Sequence, residues 1–91
     1  SLSMVVLESM ALRRPVLVNE ESEVLKGHCE RSNAGLYYSS YKEFMVCLNS
    51  MHHNKILHMG MGENGKLYIN EKYNWREVIV KIVDLIDGMV V

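Results

Sequence analysis

The sequence predicts an α/β fold, specifically half of a doubly wound, Rossmann-like parallel sheet with flanking helices. Helix and strand signals alternate along residues 3–51, the pattern of parallel strands joined by helical crossovers. Only two runs, 16–19 and 36–38, read as strands, whereas a parallel sheet wants several neighbours and cover on both faces. The length of 91 residues suits one small domain or a part of a larger one.

The elements follow in order. Ser3 is placed to cap a first helix that runs to about Leu12 and is apolar almost all round, with one carboxylate, Glu8, set in it. Pro15 forbids its continuation, and Val16-Leu17-Val18 is β-favouring, so 16–19 reads as a short buried strand. Ser22 caps a second helix over about 23–31, whose early acids Glu20, Glu21 and Glu23 suit a helix amino end. Ser32-Asn33-Ala34-Gly35 is a turn cluster, and 36–38 is the second strand. Ser39 or Ser40 starts a third helix through Phe44, Cys47 and Leu48 to near Met51.

A fourth helix over about 54–71 is weakened by Gly60, Gly62 and Gly65, each costing up to about 1 kcal/mol relative to alanine. The last helix has the clearest pattern. Asn74 is its cap and Glu77 the capping-box partner, Trp75, Val78, Ile79, Ile82, Val83 and Ile86 share one face, and Gly88 is its stop. Trp75, Ile79 and Val83 read as the anchor that packs this helix.

Composition excludes several classes of function. The chain is 48% hydrophobic and 23% charged, as in ordinary soluble domains. A net charge of -1 provides no basic field for nucleic acid. Lys42, Glu43, Lys66, Glu71 and Lys72 mix both signs, as solvated surface does. No apolar run approaches the roughly 20 residues of a membrane span. No basic region precedes the first apolar stretch, so it does not read as a signal peptide. Cys29 and Cys47 lack a paired spacing and read as reduced thiols of a cytoplasmic protein.

No metal is expected. His28-Cys29 and His52-His53 are adjacent pairs whose side chains diverge by about 100° on a helix, and with His58 they read as solvated helix surface. The glycines at 60, 62 and 65 follow no strand, so they do not form a dinucleotide fingerprint. Met45, Met51, Met59 and Met61 read as core filler. Arg13-Arg14 at the turn reads as solvated.

The segments MVVLESMALRRPVLVN, SNAGLYY, MGENGKLYINEKYNW and VDLID, in this order and spacing, resemble the C-terminal donor-binding domain of group 1 nucleotide-sugar glycosyltransferases. These retaining enzymes pair two Rossmann-like domains across a cleft, the GT-B fold. The resemblance implies that residues 1–91 are a partial donor-binding domain, with the acceptor domain and the first half of the donor domain lying upstream. The family signature is a glutamate, seven residues, then a second glutamate. Glu8 stands at the second; the first falls one position before Ser1.

By this resemblance Glu8 holds the donor ribose, and the backbone amides of Ser3, Met4 and Val5 face the sugar and diphosphate. The first amides of a helix lack internal partners and sit at the positive end of its dipole, which seats an anion. A carboxylate one turn further in accepts bonds from a diol. A glutamate so early in a helix is also favourable with no ligand at all.

The sequence departs from the family at Arg13, where a glycine usually ends the helix in a left-handed turn, and at Leu2-Ser3, where phenylalanine-glycine is common. The family's diphosphate-binding basic residues also lie upstream. The implied parent transfers a sugar from a nucleotide-sugar to the hydroxyl of an acceptor sugar or lipid-linked glycan. It is cytoplasmic, peripheral to the membrane where the acceptor is lipid-linked. This chain alone holds no catalytic residue and is expected to be inactive.

An alternative of another class is a small non-catalytic α/β interaction module. In either case Met4, Val5, Leu7 and Leu12 need cover, and an open strand edge invites pairing, so the isolated chain is expected to form homo-oligomers.

Overall fold

The computed structural model describes residues 2–73 and 75–89, with the Trp75 side chain excepted. Among these residues five helices and two strands follow one another as α1 (Leu2–Ala11), β1 (Val16–Asn19), α2 (Glu23–Ser32), β2 (Gly35–Tyr38), α3 (Tyr41–His53), α4 (Lys55–Lys72) and α5 (Trp75–Met89). The strands form a two-stranded parallel sheet in which Val16 faces Gly35 and Asn19 faces Tyr38. The result is a helix-rich α/β fold built on one β-α-β unit. None of its described helices is long and apolar enough to cross a membrane.

Local chemistry sets most boundaries. Asn19 Oδ1 accepts from the Glu21 amide at 2.9 Å, turning the chain out of β1, and Ser22 Oγ accepts from the Leu25 amide to start α2. Asn33 ends α2 in a left-handed conformation, its amide bonded to the Cys29 carbonyl. Ser40, not Ser39, caps α3: its hydroxyl accepts from the Glu43 amide. The Glu43 carboxylate reaches back to the Ser39 amide and hydroxyl, a reciprocal arrangement close to a capping box. Asn54 divides α3 from α4 and accepts from the Leu57 amide.

The turn after α1 settles the question raised by Arg13. This residue adopts φ 60°, the left-handed region. The Arg13 amide bonds the Met10 carbonyl and the Arg14 amide bonds the Ser9 carbonyl, the pair of bonds that defines a Schellman ending. The left-handed turn is therefore kept without glycine, at a cost of about 1–2 kcal/mol. Arg13 is not simply solvated, because its Nε donates to Glu63 Oε1 of α4 at 2.8 Å.

The core lies between α1, α2, α4 and the sheet. Met10 and Ile69 are its largest fully buried side chains, surrounded by Val6, Leu7, Val18, Leu25, Cys29 and Tyr68. Two of the glycines that weaken α4 as a helix bring it close to α1. A Cβ on Gly65 would stand 3.1 Å from the Cβ atoms of Met10 and Ala34, and one on Gly62 would stand 2.5 Å from the Arg13 carbonyl oxygen. The close approach lets Met61, Tyr68 and Ile69 reach the core.

Several expectations need correction. Ser3 lies inside α1 rather than capping it. Leu7 is buried in the chain's own core and Met4 is half-buried, so only Val5 and Leu12 of the four named residues stay exposed. Met51 and Met61 are buried, but Met59 is exposed. Gly88 does not stop α5, which continues to Met89, because a single glycine lowers helix propensity without forbidding the conformation. On the apolar face of α5 Val78 is buried and Ile82 half-buried, while Ile79, Val83 and Ile86 are exposed, since no described element covers them. The expected cap at Asn74 and the anchoring by the Trp75 side chain lie outside the described residues.

Candidate functional site

Ser3, Met4 and Val5 occupy the first turn of α1, and the amides of Ser3 and Met4, ahead of the first i→i−4 bond, have no acceptor within the helix. Glu8 follows one turn later and is exposed. Its carboxylate makes no hydrogen bond or ion pair with any described residue. The exposed residues Leu2, Val5, Glu8 and Leu12 fall at spacings of three and four and share one stripe. The opposite side of α1 is buried through Val6, Leu7, Met10 and Ala11. Glu8 is thus a lone carboxylate in an otherwise apolar exposed stripe, available to a group from outside the chain.

Beside that stripe lies an open groove of about 430 Å³, lined by Leu2, Val5 and Val6 of α1, the carboxyl end of β1 at Asn19, Tyr38 of β2, and Ser22 at the start of α2. It sits at the carboxyl ends of both strands, the place where open α/β sheets bind ligands. Val5 joins groove and stripe, while Glu8 stands outside the groove, three residues and about 4.5 Å further along the helix axis. The fold therefore brings Val5 to the groove, keeps Glu8 on the same exposed side, and does not bring the Ser3 and Met4 side chains into it. The expectation for these two concerns backbone amides alone.

A second polar cluster went unread in the sequence. His28, expected on solvated surface, is buried at 6% exposure. Its Nδ1 lies 2.9 Å from the Tyr68 hydroxyl, and Arg31 donates through Nε to the same hydroxyl at 3.4 Å. Arg31 Nη2 is 3.5 Å from His28 Nδ1. Guanidinium nitrogens only donate, so His28 Nδ1 is the acceptor and the ring is the neutral tautomer protonated at Nε2. Burial, and then the Arg31 charge, hold the His28 pKa below its ordinary value. Forty residues separate His28 from Tyr68, and no local pattern links them; the three-residue spacing of His28 and Arg31 was the sole hint.

Cys29, next in line, is buried, and its thiol is pushed up to about 11 by burial and then by Glu30, so it is an unreactive core thiol. Cys29 and Cys47 are both free. Among the described residues no three His, Cys, Asp or Glu side chains converge as metal ligands.

No family model, curated protein or solved structure matches the chain.

Proposed function

We propose that the chain is the distal half of the donor-binding domain of a retaining nucleotide-sugar glycosyltransferase. The carrying observation is Glu8, exposed and unpartnered in an apolar stripe one turn after the amides of Ser3, Met4 and Val5. The left-handed turn at Arg13 supports the reading, since it keeps the backbone that the resembled family builds with glycine. So does the groove at the strand ends. The two strands are then the outer half of a doubly wound sheet.

In this reading Glu8 accepts two hydrogen bonds from the ribose diol, and the first-turn amides face the sugar and diphosphate. Those amides stabilise charge that develops on the departing diphosphate. An acceptor hydroxyl, held by a domain outside this chain, attacks the anomeric carbon on the face the diphosphate leaves. The nucleotide-sugar is substrate, and no metal is called for.

The test is Glu8→Gln in the whole protein that carries this chain. Gln keeps the size of the side chain, and Glu8 is exposed, so stability should stay within about 1 kcal/mol. Losing charge-assisted bonds, worth about 1.5–3 kcal/mol each, should lower kcat/KM for the donor by roughly 10- to 100-fold. Unchanged donor kinetics would sink the assignment. The isolated chain should transfer no sugar.

The exposed apolar residues of α5, Ile79, Val83 and Ile86, favour one other reading, a non-catalytic interaction module. Such a module binds no nucleotide, so nucleotide binding to the whole protein separates the two.

A further inference from the structure

We propose that His28, Arg31, Tyr68 and Tyr73 form a proton-operated latch: a neutral His28 holds the α4–α5 joint closed, and a proton on His28 opens it. The inference is independent of the glycosyltransferase reading. α4 ends at Tyr73, whose amide bonds the Ile69 carbonyl and whose backbone is extended. Two residues later α5 begins, and its sole fully buried described side chain is Val78. α5 also packs against α1, and its junction with α4 is held at Tyr73.

Tyr73 is held by the cluster. Its ring lies 5.8 Å from that of Tyr68 and 6.2 Å from that of His28, both at steep angles. Tyr68 is fixed in turn by two hydrogen bonds, one with His28 Nδ1 and one from Arg31 Nε. Arg31 lies folded over Gly27, where an added Cβ would be 2.7 Å from its Nη1. Two of these links meet at one acceptor, His28 Nδ1, which faces the Tyr68 hydroxyl and an Arg31 nitrogen.

Protonation puts an N–H where that lone pair was. The Arg31 nitrogen at 3.5 Å is then a like charge meeting a like charge, and the Tyr68 hydroxyl, which donated to the ring, must turn to accept from it beside the bond it already accepts from Arg31 Nε. Movement of Arg31 away from His28 relieves the repulsion, removes the Arg31 bond from the Tyr68 hydroxyl, and so loosens Tyr68 and the Tyr73 ring packed on it.

Among the described residues no carboxylate is bonded to the ring, whose partners are Tyr68 and Arg31. On α2 the neighbours are Arg31 and the neutral thiol of Cys29, with Glu30 between them, whose charge acts on both. On α4 the titratable group in contact is Tyr68, while Glu71 and Lys72 share an outer groove with Arg31 and Tyr68 and largely offset each other. Beyond α4 stands Tyr73, whose phenol is pushed above its ordinary value, first by burial, and stays neutral. From α1 and β1 the buried residues are apolar: Val6, Leu7, Met10, Ala11 and Val18.

The sign follows from the lowered pKa. The unfolded chain binds a proton near 6.5 and the folded chain only at lower pH, so the stability contributed by neutral His28 is complete above that value and lost as pH falls below it.

The probe is Trp75, the one tryptophan of the chain and the first residue of α5. Its emission is followed from pH 8 to pH 5 at sub-micromolar concentration, beside the titration of the histidine ring protons by nuclear magnetic resonance. The expected result is a change in emission whose midpoint coincides with that of His28 and lies below 6.5. Arg31→Met removes the opposing charge on an exposed residue and should move both midpoints to higher pH. His28→Gln should abolish the emission change; if that variant fails to fold, the Arg31→Met arm decides alone. Emission that stays flat while His28 titrates, a transition that survives His28→Gln, or a midpoint unmoved in Arg31→Met overturns the latch.

Discussion

Three glycines in one helix make an internal test of the packing argument. Gly60, Gly62 and Gly65 all lie within α4, and alanine is favoured over glycine there by up to about 1 kcal/mol at each. What differs is what a methyl group would meet. At Gly60 nothing lies within 4 Å, so Gly60→Ala should gain the full propensity term and raise Tm by about 4–8 °C.

At Gly65 the new Cβ would stand 3.1–3.2 Å from Met10 and Ala34, both of which have no exposed surface and nowhere to move. Overpacking of this kind costs about 1–3 kcal/mol, which cancels or outweighs the gain. At Gly62 the obstacle is the backbone oxygen of Arg13 at 2.5 Å, inside a turn already held in the left-handed region. There the helices must separate, which also draws Glu63 away from Arg13. The net loss should be at least about 1–2 kcal/mol.

Thermal unfolding of the four chains by circular dichroism should rank them Gly60→Ala, parent, Gly65→Ala, Gly62→Ala. If Gly62→Ala proves as stable as Gly60→Ala, α4 does not approach α1 as described, and the placement of the helix that carries Glu8 falls with it.

Two further outcomes follow from the same features. Arg13→Gly should leave stability unchanged or raise it by up to about 1 kcal/mol, because relief at φ 60° outweighs an exposed ion pair worth about 0–1 kcal/mol; Arg13→Val should lose about 1–2 kcal/mol in the same thermal assay. The isolated chain should be a dimer or larger in light scattering at tens of micromolar, and a stable folded monomer of 10.5 kDa would show that these elements cover themselves.

What the sequence made legible is what is decided locally. β1, the capping of α2 by Ser22 and the break at Pro15 each depend on a few adjacent residues, and each is found where the residue types put it. What it hid depends on distant partners. Gly62 and Gly65 look like defects in a helix until Arg13, Met10 and Ala34 are seen against them. His28 looks like surface until Tyr68 arrives from forty residues away. In the candidate site the lone carboxylate on an apolar helix was readable, whereas the helix start was misplaced at Ser3 and the groove required both strand ends to meet the start of α2.

The balance of the fold bears on how the proposed site would work. Two four-residue strands give little cohesion by themselves. The rigid part of the molecule is instead the contact of α1 with α4, where Met10 is locked against Gly65 and the Schellman turn sits on Gly62. The helix bearing the first-turn amides and Glu8 is therefore fixed from behind, through Val6, Leu7 and Met10, while its exposed stripe keeps only Leu2, Val5 and Leu12 around the carboxylate. A side chain that must meet a ribose at hydrogen-bond distance needs that kind of support, because catalytic and binding geometry is held by what packs beneath it. Under the proposed reading, further strands pairing beside β1 cover the apolar part of the stripe and deepen the groove at the strand ends. Water is then excluded from around Glu8, and its bonds to the diol strengthen as the local dielectric falls.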